Sequence, residues 1–341
     1  MHVSSDADRI EALAPLIGTT PLLEVRCRYR GRELCVYAKY EAENMTGSVK
    51  DRMAAHILRR ATAAGELSPG DEIAEASSGN TGIAFAALGS ALGHPVRIFM
   101  PDWMSHERVD LIKSFGATVV PVSHEQGGFV GARELAEQHA RDNDSVYLPR
   151  QFDNPVNSEA HELTTGQEIL EQLDRFGRRP GAFVAGVGTG GTVMGVGRAL
   201  RRAAPDVRVH PLEPSNSPTL REGRCVGEHR IQGISDEFVP AILDLDELDE
   251  IVDVWDGDAI LMAQMLCSRL GLAVGISSGA NFIAAVELAF ELAEQGRDGA
   301  TVTIFCDSNK KYLSTHLCHD EPVLDHYVTP HVELQHFAAV R

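Results

Sequence analysis

Short apolar runs alternate along most of the chain with longer stretches in which apolar residues return every third or fourth position. The runs read as buried strands and the stretches as amphipathic helices, and their alternation is the pattern of a parallel sheet with crossover helices. It predicts strands over residues 34–39, 95–100, 118–122, 182–185, 208–212 and 301–305. Helices are predicted over 50–63, 83–92, 105–115, 159–173 and 259–269, with another from about Val193. The fold class is therefore α/β. A turn-rich run, Asp-Asn-Pro-Val-Asn-Ser at 153–158, precedes a long helical period and marks a boundary between two lobes. No internal repeat is visible, which sets solenoids and propellers aside. From Glu321 the pattern changes: Pro322, Pro330 and the alternation Val332-Glu333-Leu334 suggest a tail that packs back on the body or on a second subunit.

Size and composition narrow the class. At roughly 150 residues per domain, 341 residues suggest two domains. With 43% hydrophobic and 23% charged residues the chain can bury a sizeable core, so extensive disorder is excluded. Lysine plus arginine number 31 against 49 acids, and the net charge of −18 repels polyanions, so nucleic acid is not expected as a partner. Six cysteines with no C-x-x-C pair fit a reducing, cytoplasmic setting. The segment from Met1 to Arg9 carries Asp6 and Asp8 and no apolar core of a leader peptide. No continuous apolar run reaches the roughly 18 to 20 residues that cross a bilayer, so no membrane partner is expected.

The chemistry concentrates in four segments. In Asn44-Met45-Thr46-Gly47-Ser48-Val49-Lys50 a turn with hydroxyl residues opens a helix whose first turn holds a lysine. A lysine at a helix start among other donors has its charged form disfavoured, which frees its amine to form a Schiff base; alone, it also reads as a solvated surface lysine. Ser77-Ser78-Gly79-Asn80-Thr81-Gly82 precedes an apolar helix, and unpaired N–H groups with hydroxyls there make a nest for a carboxylate or phosphate, or simply an N-cap by Ser or Asn. Gly186-Val187-Gly188-Thr189-Gly190-Gly191-Thr192 follows an apolar run, and its glycines let backbone approach an anion. It also satisfies G-x-G-x-x-G, with Asp206 and Glu213 as ribose-binding acids, so a dinucleotide-binding protein is the alternative from a different class. Gly275-Ile276-Ser277-Ser278-Gly279-Ala280-Asn281 is a fourth loop before a helix. His316, Cys318 and His319 lack the further ligands of a metal site, and none is predicted.

Taken in order, these segments resemble the cysteine synthase family of fold type II pyridoxal phosphate enzymes, which includes the cystathionine β-synthases. The likeness runs from Gly18-Thr19-Thr20-Pro21-Leu22 to Tyr312-Leu313-Ser314-Thr315. It takes in Met100-Pro101-Asp102-Trp103-Met104-Ser105 with Glu107-Arg108, Gln151 to Asn157, His161, Thr164-Thr165-Gly166 and Ile231-Gln232-Gly233-Ile234. The resemblance implies a two-lobed fold like the tryptophan synthase β-subunit, each lobe a mostly parallel twisted sheet flanked by helices. Residues 42–156 would form a smaller mobile lobe, 1–41 and 157–320 a larger lobe that binds the cofactor phosphate, and 321–341 the C-terminal tail. It implies pyridoxal 5′-phosphate held by Lys50 as an internal aldimine, with Asn80 on its 3′ oxygen. Gly188, Thr189, Gly190, Gly191 and Thr192 would cradle the phosphate, and Ser277 would face the pyridine nitrogen. Ser77, Ser78, Thr81 and Gln151 would hold the substrate carboxylate, and Gly233 would line the site mouth. A neutral serine at the ring nitrogen makes a modest electron sink, which favours β-elimination over long-lived carbanion chemistry.

The implied reaction is β-replacement on an activated L-serine, O-acetylserine or O-phosphoserine, through an aminoacrylate formed when Lys50 takes the Cα proton. Addition of a sulfur nucleophile then yields cysteine. Cystathionine or 2,3-diaminopropionate formation, with an amine nucleophile in the latter case, is the nearer alternative, and a homodimer is implied. Closure of the small lobe on the carboxylate would exclude water. The sequence departs from the commonest cysteine synthase pattern in two places. Ser77 replaces threonine and keeps the hydroxyl. In Gly233-Ile234-Ser235-Asp236-Glu237-Phe238 two acids stand where small uncharged residues are usual. Asp236 and Glu237 read as solvated loop charges or, if one points inward, as recognition of a nucleophile bearing an ammonium group.

Overall fold

A computed structural model describes residues 6–341. Met1 to Ser5 of the segment read as lacking a leader, and of the region assigned to the larger lobe, lie outside the described residues. In chain order the elements are α1 (Asp6–Leu13), β1 (Leu22–Tyr29), β2 (Arg32–Tyr40), α2 (Lys50–Ala64), β3 (Glu72–Ala76), α3 (Asn80–Leu92), β4 (Val96–Pro101), α4 (His106–Ser114) and β5 (Thr118–Val122). There follow α5 (Gly128–Arg141), β6 (Val146–Tyr147), α6 (Val156–Leu163), α7 (Thr165–Arg175), β7 (Pro180–Gly186), α8 (Gly191–Ala203), β8 (Arg208–Pro214) and α9 (Thr219–Glu222). The chain ends with β9 (Val252–Val254), α10 (Asp256–Leu270), α11 (Ile276–Glu294), β10 (Ala300–Phe305) and β11 (Val332–Val340).

Two sheets organise these elements. One has the order β11-β1-β2-β10-β7-β8-β9 and the other β5-β4-β3-β6. The second is parallel throughout. In the first, β2, β10, β7, β8 and β9 run parallel and β1 pairs antiparallel with β2 and β11. Central β10 is buried at every position, as a parallel strand covered on both faces should be, whereas β11 at the edge is mostly exposed. The tail therefore packs back on the body of its own chain. Helices α10 and α11 cover one face of the larger sheet through Ile260, Ala263, Phe282 and Val286, and α7 and α8 cover the other through Ile169, Leu173, Val196 and Leu200. Around the smaller sheet, α2 and α3 supply Met53, Ile57, Phe85 and Leu88 to one core, and α5 supplies Ala132 and Ala136 to the other.

The helix expected over 159–173 is two helices. Thr164 interrupts them with φ −122° and ψ −74°, its hydroxyl returning to the Ala160 carbonyl at 2.7 Å, a back-bond that bends helices. The break seats Gly166 against α8, where a Cβ would stand 2.4 Å from the Ala199 Cβ. Among the described residues one helix, α11, is long and apolar enough by length and composition to span a bilayer, but most of it is buried in the core, which accounts for its composition.

Candidate functional site

Parallel strands end with their carboxyl termini on one side, and the loops that leave them there converge. In this molecule the loops after β3, β7 and β10 meet the start of α2 and α11 around a cleft whose empty space, its solvent mouth included, is about 710 Å³. Lys50, Ser77, Ser78, Asn80, Thr81, Gln151, Gly188, Thr189, Thr192, Gly233 and Ser277 all line it, so segments far apart in sequence share one wall. Gly190 and Gly191 complete the turn between Thr189 and Thr192.

Lys50 is the first residue of α2. The turn before it is fixed on both sides. Asp51 accepts the Thr46 N–H at 2.6 Å, and the Val49 N–H donates to the Cys306 carbonyl at the end of β10 at 2.9 Å. Burial lowers the pKa of Lys50, partly opposed by Cys306, Asp236 and Asp307. A larger population of free amine is the consequence.

After β3, the Ser77 hydroxyl accepts the N–H groups of Gly79 at 3.1 Å and Gly82 at 2.9 Å. The capping role expected of a Ser or Asn at the N-cap position is thus taken by Ser77 from outside the helix, since Gly79 is the N-cap and makes no side-chain cap. Thr81 donates to Gln151 Oε1 at 2.6 Å, and Gln151 Nε2 donates to the Ala76 carbonyl at 2.8 Å. The buried Glu75 carboxylate accepts the Gln151 N–H at 3.1 Å, and burial pushes its pKa up to about 7. Asn80 donates to Asp307 Oδ2 and accepts from Lys311 Nζ, both at 2.8 Å.

The glycine turn between β7 and α8 is shaped by close approach. A Cβ on Gly188 would lie 2.4 Å from the Gly233 carbonyl oxygen, and one on Gly191 would lie 2.1 Å from Asn157 Oδ1. Gly190 has φ 84°, a conformation that glycine adopts without strain. Asn157 donates to Thr189 Oγ1 at 3.0 Å and to the Gln151 carbonyl at 2.9 Å, tying this turn to Gln151. The Thr192 hydroxyl lies 3.3 Å from His161 Nε2, and burial, with the charges of Lys50, Arg52 and His56, holds His161 well below its ordinary pKa. The turn ends at a helix N-terminus, where orphan N–H groups and the helix dipole favour an anion. Ser277 sits in the first turn of α11, 5% exposed and facing the cleft. These residues fit the pyridoxal phosphate that the resemblance implies: an enclosed primary amine, a side-chain-free cradle at a helix start for its phosphate and a neutral hydroxyl for its ring.

Several residues of this site had been given no role from the sequence. Asp307, Lys311 and Tyr312 follow β10, and Tyr312 donates to Asp307 Oδ2 at 2.7 Å. Position just beyond a predicted strand was the available signal. Arg108 in α4 lines the cleft and stacks over Tyr312 at 4.6 Å, although it is distant in sequence from every loop. Of the two acids after Gly233, Asp236 lines the cleft and Glu237 is exposed. Burial raises Asp236 to about 6, with Lys50 pulling it down and Glu237 pushing it up. The ribose-acid reading finds no support. Glu213 is turned to the Leu220 N–H at 2.6 Å, and Asp206 is exposed beyond α8.

The sequence model of the family described as "Pyridoxal-phosphate dependent enzyme" matches residues 13–307. A probable cysteine synthase of Bacillus subtilis is 42% identical over 307 residues, 89% of this chain and 96% of that one. A cysteine synthase of Staphylococcus aureus is 39% identical over 311 residues, 90% and 97% of the two chains. Among solved structures, a hydrogen sulfide-producing enzyme from Fusobacterium nucleatum superposes with a TM-score of 0.94 at 49% identity, covering 98% of this chain and 99% of that chain. An O-ureido-L-serine synthase gives 0.79 at 37% identity, over 95% and 98%. Relatives matched nearly end to end, and a family match covering the glycine turn and every strand but β11, agree with the donor set of the cleft: the chain belongs to the pyridoxal-phosphate dependent enzymes.

Proposed function

We propose that this enzyme carries out β-replacement on an L-serine derivative with a leaving group on Cβ, forming L-cysteine from a sulfur nucleophile. The observation that carries the reading is the enclosure of Lys50 between the Ser77–Thr81 loop and the Gly188–Thr192 turn, which brings an amine, a carboxylate seat and a phosphate cradle into one cleft. Lys50 would hold the cofactor, with Asn80 beside its ring oxygen, Gly188, Thr189, Gly190, Gly191 and Thr192 around its phosphate, and Ser277 at its ring nitrogen. When bound, pyridoxal phosphate supplies an electron sink for the bond broken at Cα. Ser77, Ser78, Thr81 and Gln151 orient the substrate carboxylate, which fixes the Cα–H bond relative to Lys50. The Lys50 amine, poised by burial below its ordinary pKa, takes the Cα proton as general base and returns it at the end of the cycle. Gly233 and the segment that follows it form the mouth through which leaving group and nucleophile pass.

A second reading uses the same residues in the opposite sense: β-elimination from L-cysteine with release of sulfide. It is favoured by the inward Asp236, an acid suited to proton transfer or to an ammonium group at the mouth. Support also comes from the name of the Fusobacterium enzyme, a hydrogen sulfide-producing enzyme at 49% identity. Under either reading the protein works as a cytoplasmic homodimer on small molecules. Six free cysteines accord with a reducing compartment.

Incubating the cofactor-loaded protein with O-acetylserine, O-phosphoserine or L-serine plus sulfide, and separately with L-cysteine alone, tests the assignment by measuring cysteine and sulfide. Turnover in the first arm supports replacement, and sulfide release only in the second supports elimination. Silence in both rejects the function. Lys50→Ala should lower turnover at least about 10³-fold. Borohydride should fix the cofactor to Lys50 in the parent protein, and a label elsewhere would reject the lysine assignment.

A further inference from the structure

The side chains assigned above to the substrate carboxylate, Ser77, Ser78, Thr81 and Gln151, carry no formal charge. Most of their hydrogen-bonding capacity is turned inward. Ser77 accepts from Gly79 and Gly82, Thr81 donates to Gln151, and Gln151 Nε2 donates to Ala76. A carboxylate seated on such a wall meets neutral groups and the start of α3, whose dipole carries only about half a unit charge, so full compensation of its charge calls for a cation nearby.

That cation is Arg108. It is 2% exposed, it lines the cleft, and its Nε and Nη1 make no hydrogen bond. A Cβ built on Gly79 would lie 2.4 Å from Arg108 Nε and 2.6 Å from its Cδ, so the guanidinium lies directly against the Ser77–Asn80 turn and only glycine leaves room for it. The opposite contact is the Tyr312 ring at 4.6 Å. Tyr312 in turn donates to the Asp307 carboxylate that also receives Asn80. The other cation of this wall, Lys311, is already engaged by Asn80 Oδ1 at 2.8 Å and the Gly47 carbonyl at 3.2 Å. Leaving a buried guanidinium without acceptors is costly, and an anion arriving beside it removes that cost.

We propose that Arg108 supplies the fixed positive charge of the carboxylate seat and is a specificity-determining residue for α-amino acids over amines and amides. The proposal rests on the reading of the Ser77–Thr81 loop as that seat and adds the charge that selects the ligand.

The test uses the cofactor-loaded protein and follows its visible absorbance while L-alanine or L-alaninamide, which lack a leaving group, is added. The parent protein should bind L-alanine the more tightly. Arg108→Gln should weaken L-alanine about 10- to 100-fold, the usual worth of a charged hydrogen bond, while moving L-alaninamide by no more than about threefold. Arg108→Lys, which keeps the charge and is the milder change for folding, should recover part of the preference. The proposal is overturned if Arg108→Gln retains the preference for L-alanine, or if both variants weaken the two ligands equally. No preference in the parent protein overturns both this proposal and the carboxylate-seat reading. An Arg108-dependent preference in a protein that turns over no serine derivative leaves this assignment standing and rejects the function.

Discussion

At the scale of single residues, the cleft balances one enclosed amine against one enclosed acid. Lys50 is pushed by burial toward its neutral form and Asp236 toward its protonated form, and the two charges oppose both shifts. Asp236 has a folded pKa of about 6 against about 3.8 for an ordinary aspartate. A carboxyl with a raised folded pKa binds more protons in the native state than in the unfolded chain between those values. Stability is therefore lost as pH rises through that window, and above it the ionised carboxylate is a continuing cost. Asp236→Asn should accordingly stabilise the protein by about 1 to 2 kcal/mol at pH 7 to 8. The advantage should shrink as pH falls from about 6 to about 4 and vanish below. Urea denaturation of both proteins across this range measures it, and an advantage independent of pH would show that Asp236 does not titrate in the window.

Among the secondary-structure elements, the placement of α2 depends on a buried charge cluster that the sequence did not reveal. Arg52, two residues after Lys50, donates to Glu41 at 2.6 Å and 2.8 Å and to Glu168 at 2.7 Å and 2.8 Å. Lys39 Nζ lies 2.7 Å from Glu168 as well as from Gln172 Oε1. Burial pushes Glu168 up, but Arg52 and Lys39 outweigh it and bring its pKa down to about 2. The cluster joins the end of β2, the first turn of α2 and the start of α7. Arg52→Met leaves two acids facing Lys39 alone and should cost about 3 to 5 kcal/mol, whereas adding Glu41→Gln should recover part of the loss. Thermal and urea midpoints of the single and double variants test this, and strictly additive losses would argue that the pair does not interact. Charged residues in these segments look like surface residues when read along the chain, because their partners are up to 149 positions away, as with Thr19 and Glu168. The strands of the parallel core were legible, since an unbroken apolar run such as 301–305 has few alternatives. Strand β1 was passed over although Glu24, Arg26 and Arg28 alternate with apolar positions as in a strand with one buried face, because it offers no unbroken apolar run. The lysine and the three glycine or hydroxyl loops stood out as local motifs. Asp307 and Glu75 did not, because what sets each apart is a contact with a distant segment, and Arg108 entered only within the family likeness, without a role.

At the scale of the whole molecule, the cleft lies between two separately cored sheets. The Ser77–Thr81 loop leaves the smaller sheet, whereas the Gly188–Thr192 turn and Ser277 belong to the larger one. Beyond α1, whose Ile10 packs in the core of the smaller sheet, the strands of the two sheets are joined by crossings at residues 41–49 and 148–156. A ligand bonded at one end to the Ser77–Thr81 loop and at the other to a group on the glycine turn would join both halves, and that linkage would give the mobile smaller lobe expected over 42–156 its physical basis. The second crossing already spans the divide. Gln151 contacts the loop through Thr81 and Ala76, and Asn157 reaches Thr189 while also holding the Gln151 carbonyl. If closure occurs by rotation about these crossings, a non-reacting amino acid such as L-alanine should slow hydrogen exchange at residues 77–81 and 151–157. The interior of β10, buried at every position, should exchange at an unchanged rate. Mass-spectrometric exchange on the cofactor-loaded protein, with and without L-alanine, makes the comparison. Protection spread evenly over both sheets would indicate general stabilisation by ligand in place of closure, and protection confined to 77–81 would place the motion in the loop and leave the lobe fixed.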